Sequence, residues 1–324
     1  MTEPLLSVRD LHVHFDVRGE GLLPKKRTLK AVNGVNLDLY PGETLGIVGE
    51  SGCGKSTLAR ALLNLIPATS GQVVWLGKDM SGAKPSQWHD VRKNVQMVFQ
   101  DPLASLNPRM NVLQIIGEPL RTHKPELSRE EVKARVKQVM VRVGLMDNQL
   151  YRYPHEFSGG QCQRIGIARA LILEPKLIVC DEPVSALDVS IQAQIINLLK
   201  DLQKQMNLAL IFIAHDLAVV KHVSQRILVM YLGRVMELAD KHELYAAPKH
   251  PYTRALLSAV PLADPRLERL KQVQMLPGDL PSPLSPPSGC VFRTRCPHAF
   301  DKCAVEVPPL IPVNAQSQAA CWLY

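Results

Sequence analysis

The chain has 324 residues, 46% apolar and 21% charged, which excludes wholesale disorder and allows one large core or two domains. A formal charge of +8 permits a nucleic-acid, membrane-surface or acidic-protein partner without selecting among them. The start, Met1-Thr2-Glu3-Pro4, lacks a basic region followed by an apolar one, and no apolar run approaches the roughly 18 residues of a membrane span. The chain therefore reads as soluble and cytosolic, with any membrane role coming through a partner. The densest basic run, Pro24-Lys25-Lys26-Arg27, is short and reads as a solvated loop.

Strand patterns cover 5–15, 29–39 and 44–48. Between the last of these and a helical run from Ser56 stands Gly49-Glu50-Ser51-Gly52-Cys53-Gly54-Lys55-Ser56-Thr57, the pattern G-x-x-x-x-G-K-[ST]. Such a loop turns backbone N–H groups around a polyphosphate, with a helix N-terminus adding a positive dipole end. Lys55 would reach the β- and γ-phosphates, and Ser56 would place a hydroxyl on Mg²⁺. Chance produces the pattern in roughly one chain of this length in a hundred, so a plain Gly-rich turn is the minor alternative.

Strands are expected next at 72–76 and 96–99. Strand signals then vanish between Pro102 and Gln161, while 128–144 places Val132, Val136, Val139, Met140 and Val143 on one helical face. An all-helical insertion in an α/β body follows. The runs 44–48, 177–180 and 209–213 are apolar almost throughout, as parallel strands covered on both faces require. The second of them ends in Asp181 and Glu182. In a phosphate-loop fold the first acid holds Mg²⁺, and the next is placed to polarise an attacking water. A last strand is expected at 226–231.

Beyond about residue 260 the texture changes: 261–324 hold 11 of 25 prolines and four of seven cysteines. So short a Pro-rich tail buries little core, which suggests a staple. Cys290, Cys296, Cys303 and Cys321 are spaced x5, x6 and x17, matching neither common zinc pairs nor ferredoxin runs. In a reducing cytosol clustered thiols suggest a metal site rather than disulfides. Zinc and free, packing thiols remain alternatives. Cys53 reads as a small loop residue, and Cys162 and Cys180 as buried.

Phe157-Ser158-Gly159-Gly160-Gln161-Cys162-Gln163-Arg164 resembles the signature of ABC-type ATPases. Further marks are similar to that family: Gln100 at a strand end, Ser185-Ala186-Leu187-Asp188, His215 at another strand end and Phe15 in the first strand. Phe157 in place of the commoner Leu and Cys180 in the apolar run are slight departures. The resemblance implies an α/β P-loop NTPase fold, an ABC-type nucleotide-binding domain over 1–260 with a helical subdomain at about 101–160, and a small Pro/Cys-rich extension over 261–324.

The implied ATP contacts are Phe15 stacking on adenine, the loop residues Gly49, Ser51, Gly52, Cys53, Gly54, Lys55, Ser56 and Thr57, and Gln100 and Asp181. The signature residues Ser158, Gly159, Gly160 and Gln161, with Asp188, would close over ATP held by a facing subunit. Mg²⁺ would be held by Ser56, Gln100 and Asp181. The implied catalytic set is Glu182, His215, Gln100 and Lys55.

Phe99-Gln100-Asp101-Pro102-Leu103-Ala104-Ser105-Leu106-Asn107-Pro108-Arg109-Met110, His250-Pro251-Tyr252-Thr253-Arg254 and Gly289-Cys290-Val291-Phe292-Arg293-Thr294-Arg295-Cys296 resemble the ATPases of bacterial oligopeptide and dipeptide importers. That resemblance implies an ATPase energising oligopeptide import from the cytoplasmic face of the inner membrane. Its expected partners are a second, non-identical ATPase, two transmembrane permeases and, indirectly, an extracytoplasmic peptide-binding protein, with no nucleic acid. It also implies a [4Fe–4S] cluster on Cys290, Cys296, Cys303 and Cys321. The alternatives are a soluble ABC ATPase acting on nucleic acid or ribosomes, disfavoured by one motif set and no heptad run, and a non-catalytic module, disfavoured by intact Glu182 and His215.

Overall fold

A computed structural model describes residues 3–18, 26–261 and 264–324, so Pro24 and Lys25 of the basic run lie outside it. Its strands are β1 (Leu6–Arg18), β2 (Lys26–Leu39), β3 (Thr44–Val48), β4 (Ser70–Trp75), β5 (Lys78–Asp79) and β6 (Val95–Val98). They continue with β7 (Leu177–Asp181), β8 (Ala209–Ile213), β9 (Arg226–Tyr231), β10 (Arg234–Asp240), β11 (Ile311–Asn314) and β12 (Ser317–Ala319). The helices are α1 (Lys55–Leu62), α2 (Pro85–Arg92), α3 (Val112–His123), α4 (Arg129–Arg142), α5 (Gly159–Leu171) and α6 (Val189–Met206). The remainder are α7 (Leu217–Val223), α8 (Lys241–Ala246), α9 (Pro251–Ala259), α10 (Pro265–Leu270) and α11 (Asp301–Val305). No helix among the described residues is long and apolar enough to cross a membrane.

The chain divides into two compact units. The first comprises Met1–Glu3, Tyr40–Thr44 and Gly82–Ile213. Its strands β6, β7 and β8 pair in parallel, Val95 opposite Leu177 and Leu177 opposite Ala209. Every residue of β7 and β8 is buried, which is why both read as continuous apolar runs rather than alternating ones. The helical stretch forms as expected. Asn111, Ser128 and Ser158 each cap a helix with a reciprocal partner three residues on, Gln114, Glu131 and Gln161. Val132, Val136, Val139, Met140 and Val143 are the buried face of α4 and the turn after it. Each contributes about 1.5–3 kcal/mol relative to an exposed position.

The second unit comprises Pro4–Leu39, Leu45–Ser81 and Ala214–Tyr324. One sheet runs β2-β1-β4-β5, all antiparallel. Elsewhere β3 pairs in parallel with β9, and β10, β12 and β11 continue antiparallel from β9. The sequence reading lacked β5, β10, β11 and β12. β10 leaves β9 through Leu232 and Gly233, both at positive φ (44° and 77°), a tight hairpin turn without the usual Asn-Gly cue. Pro312 fits β11 because that strand lies at the outer end of the series, where a missing N–H is tolerated.

The tail packs against the rest of its unit. β12 pairs with β10, and Phe292, fully buried, packs its ring 5.3 Å from Tyr231 and 5.3 Å from Tyr252. Core supplied by the rest of the unit replaces the core that the tail lacks.

Candidate functional site

The phosphate loop, Phe15 and His215 belong to the second unit; Gln100, the Ser158 segment, Asp181, Glu182 and Asp188 belong to the first. Loop and helix follow directly from residue type. Gly54 caps α1 at φ 103°, and a Cβ there would stand 2.0 Å from the Ala31 carbonyl oxygen, so no side chain fits. The Leu58 N–H donates to the Gly54 oxygen at 2.9 Å and starts the helix. No acid occupies the first turn of α1, so no first-turn carboxylate competes with an anion at its positive end.

Lys55 is 4% exposed, and its Nζ donates to the Gly49 and Glu50 carbonyl oxygens at 2.8 and 3.1 Å. An ammonium parked on loop carbonyls, beside exposed Ser51 and Gly52, suits a loop that receives an anion. Ser56 and Thr57 follow in the first turn of α1. Cys53 is buried, and desolvation pushes its thiol up, so it is a packing residue. Phe15 is 38% exposed in β1, an aromatic face left open to solvent. His215 is exposed in the loop between β8 and α7.

In the first unit the structure brings Gln100 and Glu182 together: Gln100 Nε2 donates to Glu182 Oε2 at 3.2 Å. Glu182 stands at φ 46°, a conformation that costs a non-glycine residue about 1–3 kcal/mol and that clusters at functional sites. Its N–H donates to the Ile213 oxygen and its carbonyl accepts from Ser185 Oγ, which hold it there. Asp181 ends β7 at 1% exposure.

Ser158 caps α5. Its Oγ accepts the Gln161 N–H while its own N–H donates to Gln161 Oε1 at 3.1 Å. Ser158 and Gly159 are exposed, whereas Gly160 is buried, and a Cβ on it would lie 2.5 Å from Ile191 Cγ2. Asp188 begins α6 with no side-chain cap bond, and the next residue, Val189, is 82% exposed.

The tail thiols give the expected cluster no support. Among the described residues no three His, Cys, Asp or Glu are grouped to hold a metal ion. Cys290, Cys296, Cys303 and Cys321 are free thiols, and burial, with repulsion among the thiols adding to it, raises Cys290 to about 11 and also raises Cys296 and Cys321. Nothing among the described residues supports a [4Fe–4S] cluster on these thiols.

Sequence reasoning missed three contributors. Arg295 Nη1 reaches both Glu50 carboxylate oxygens at 3.0 Å. The Tyr252 hydroxyl accepts the Glu50 N–H at 3.0 Å. Glu237, fully buried, accepts the Lys249 and His250 N–H groups at 2.8 Å each and so anchors the start of α9. The one available signal was an acid inside a phosphate-binding loop, which calls for a countercharge without saying which residue supplies it.

A glycine-framed anion loop leading into a helix, with an acidic pair after a buried parallel strand, defines a P-loop ATPase. The fold agrees with solved ATP-binding cassettes. The chain superposes with TM-score 0.65 and 27% identity on the dimeric post-hydrolysis structure of the cassette MJ0796 bound to ADP and Pi, covering 73% of this chain and 98% of that one.

The ABC transporter family model matches residues 32–185, and the model of the oligopeptide/dipeptide transporter C-terminal region matches 236–303. The oligopeptide transport ATP-binding protein OppF of Salmonella typhimurium is 65% identical over 309 residues, 94% of this chain and 92% of the relative. AppF of Bacillus subtilis, also an oligopeptide transport ATP-binding protein, is 52% identical over 323 residues, 99% and 98% of the two chains. The chain belongs to the ABC transporter family and is an ABC-type ATPase.

Proposed function

We propose that this chain is the ATP-binding and ATP-hydrolysing subunit that energises import of oligopeptides across the bacterial inner membrane. The supporting observation is the 65% identity to OppF, which runs through the carboxy-terminal region as well as the ATPase motifs. Residues 1–260 would form the ATPase domain, with 101–160 as a helical subdomain docking a permease, and 261–324 the extension. A second, non-identical ATPase, two permeases and an extracytoplasmic binding protein would complete the importer, with this chain peripheral to the membrane. A [4Fe–4S] cluster is not part of this reading.

Hydrolysis of a γ-phosphate needs positioning and charge stabilisation more than covalent help. Gly49 and Ser51 to Thr57 would wrap the phosphates, Lys55 would turn from the loop carbonyls to the β- and γ-phosphates, and Phe15 would stack on adenine. Ser56, Gln100 and Asp181 supply oxygen donors of the hard kind that Mg²⁺ prefers, and the ion would neutralise phosphate charge. Glu182 would orient or deprotonate the attacking water, Gln100 would hold Glu182 in place, and His215 would contact the γ-phosphate. Ser158, Gly159, Gly160, Gln161 and Asp188 would serve ATP on a facing subunit.

Co-expression with the cognate permeases and partner ATPase in vesicles tests the function. Oligopeptide-loaded binding protein should raise ATPase activity severalfold, and a peptide-independent rate would refute the assignment.

A further inference from the structure

Glu50 places a carboxylate inside a loop shaped for a polyphosphate, which like charge should penalise. The second unit answers that charge from a distant part of the chain. Arg295, in the tail, sets one guanidinium nitrogen 3.0 Å from each carboxylate oxygen of Glu50. The pair is largely sheltered, its side chains 12% and 26% exposed, so solvent screens it only in part. Glu50 is fixed at its backbone too: its N–H donates to the Tyr252 hydroxyl at 3.0 Å, and its carbonyl accepts from Cys53 N–H and Lys55 Nζ.

The arginine is itself held in place. Its N–H donates to the Phe292 oxygen at 3.0 Å, and the Phe292 ring is buried against Tyr231 and Tyr252. The same aromatic cluster therefore carries both groups that grip Glu50.

We propose that Arg295 is a positioning residue for nucleotide binding: it neutralises and anchors Glu50 so that the loop accepts the triphosphate of ATP. This rests on the reading of the loop as the ATP site. It gives the carboxy-terminal extension a direct hold on nucleotide affinity, independent of any contact with ATP.

The test uses the full chain, Mg²⁺ and trinitrophenyl-ATP as a fluorescent probe, with a thermal melt of each variant. Saturable binding by the parent chain is the check on the ATP reading; its absence sinks that reading. Given parental binding, Arg295→Met should weaken affinity about tenfold, since the Glu50 charge then faces the phosphates. Adding Glu50→Gln to Arg295→Met should restore affinity to within about twofold, because a neutral side chain needs no countercharge.

Glu50→Gln alone should bind as tightly as the parent or tighter, the excess fading with salt, and it keeps the proposal testable should Arg295→Met not fold. The inference is overturned by parental affinity in Arg295→Met, by weak binding that persists in the double variant, or by Glu50→Gln weakening affinity more than about threefold.

Discussion

The phosphate loop and the Ser158 segment are both glycine-bearing helix starts shaped for an anion, yet they are anchored differently. Around Lys55 the loop is tied to distant parts of its unit, to Tyr252 and Arg295 through Glu50 and to Gly233 through the Cys53 carbonyl. Around Ser158 the polar groups satisfy one another within four residues, and the chain leaves Ser158 and Gly159 exposed. A long-range grip fixes geometry before a ligand arrives. A self-capped helix start with Ser158 and Gly159 at the surface leaves that end open to an outside object, which accords with the proposed role toward a facing subunit.

The largest effect should come from the acid that the proposal makes the base. Glu182→Gln should cut steady-state ATP turnover by at least about a hundredfold while nucleotide binding persists; parental turnover would remove Glu182 from the chemistry. Lys55→Ala should weaken binding of a fluorescent ATP analogue by about tenfold to a hundredfold, since a charge-assisted contact is lost. Equal affinity before and after would show that the loop is not the grip.

Ser158→Ala sharpens the comparison. It should lower turnover of the assembled transporter about tenfold, cost about 1 kcal/mol through the lost cap, and barely change nucleotide affinity of the isolated chain. A large affinity loss in the isolated chain would mean that both anion sites serve one nucleotide in one subunit.

The smallest effect concerns pH. Burial holds the His250 imidazole at about 3, against 6.5 when unfolded, so it is neutral in the folded chain. A depressed folded pKa gives stability that is complete above about 6.5 and drains as pH falls towards 3. Glu237, raised by burial, works in the opposite sense. His250→Asn, which can still accept the Tyr252 N–H as a cap, should therefore lessen the loss of Tm between pH 7 and pH 5 by a few degrees. An unchanged slope would place the titration elsewhere.

Much of this was legible in the residues. The apolar runs at 44–48, 177–180 and 209–213 announced covered parallel strands, and the valines of 128–144 marked the buried face of α4, because side-chain period is a local consequence of backbone geometry. Gly54 and Ser158 announced helix starts through the conformations and caps that only such residues supply. The β10–β12–β11 pairings escaped notice, since a Leu-Gly turn and a strand with a proline resemble loop.

By itself, then, the sequence determined the phosphate loop, the acidic pair, the helical insertion and the class of ATPase, all features written within a few consecutive residues. Only the tertiary structure decided that Arg295 meets Glu50 across 245 positions, that Glu237 holds the start of α9, and that Phe292 packs the tail against Tyr252. Local pattern fixes which groups a segment offers. Which distant group answers them depends on chain closure and packing over the whole unit, where many pairings satisfy the same residue types and one is realised.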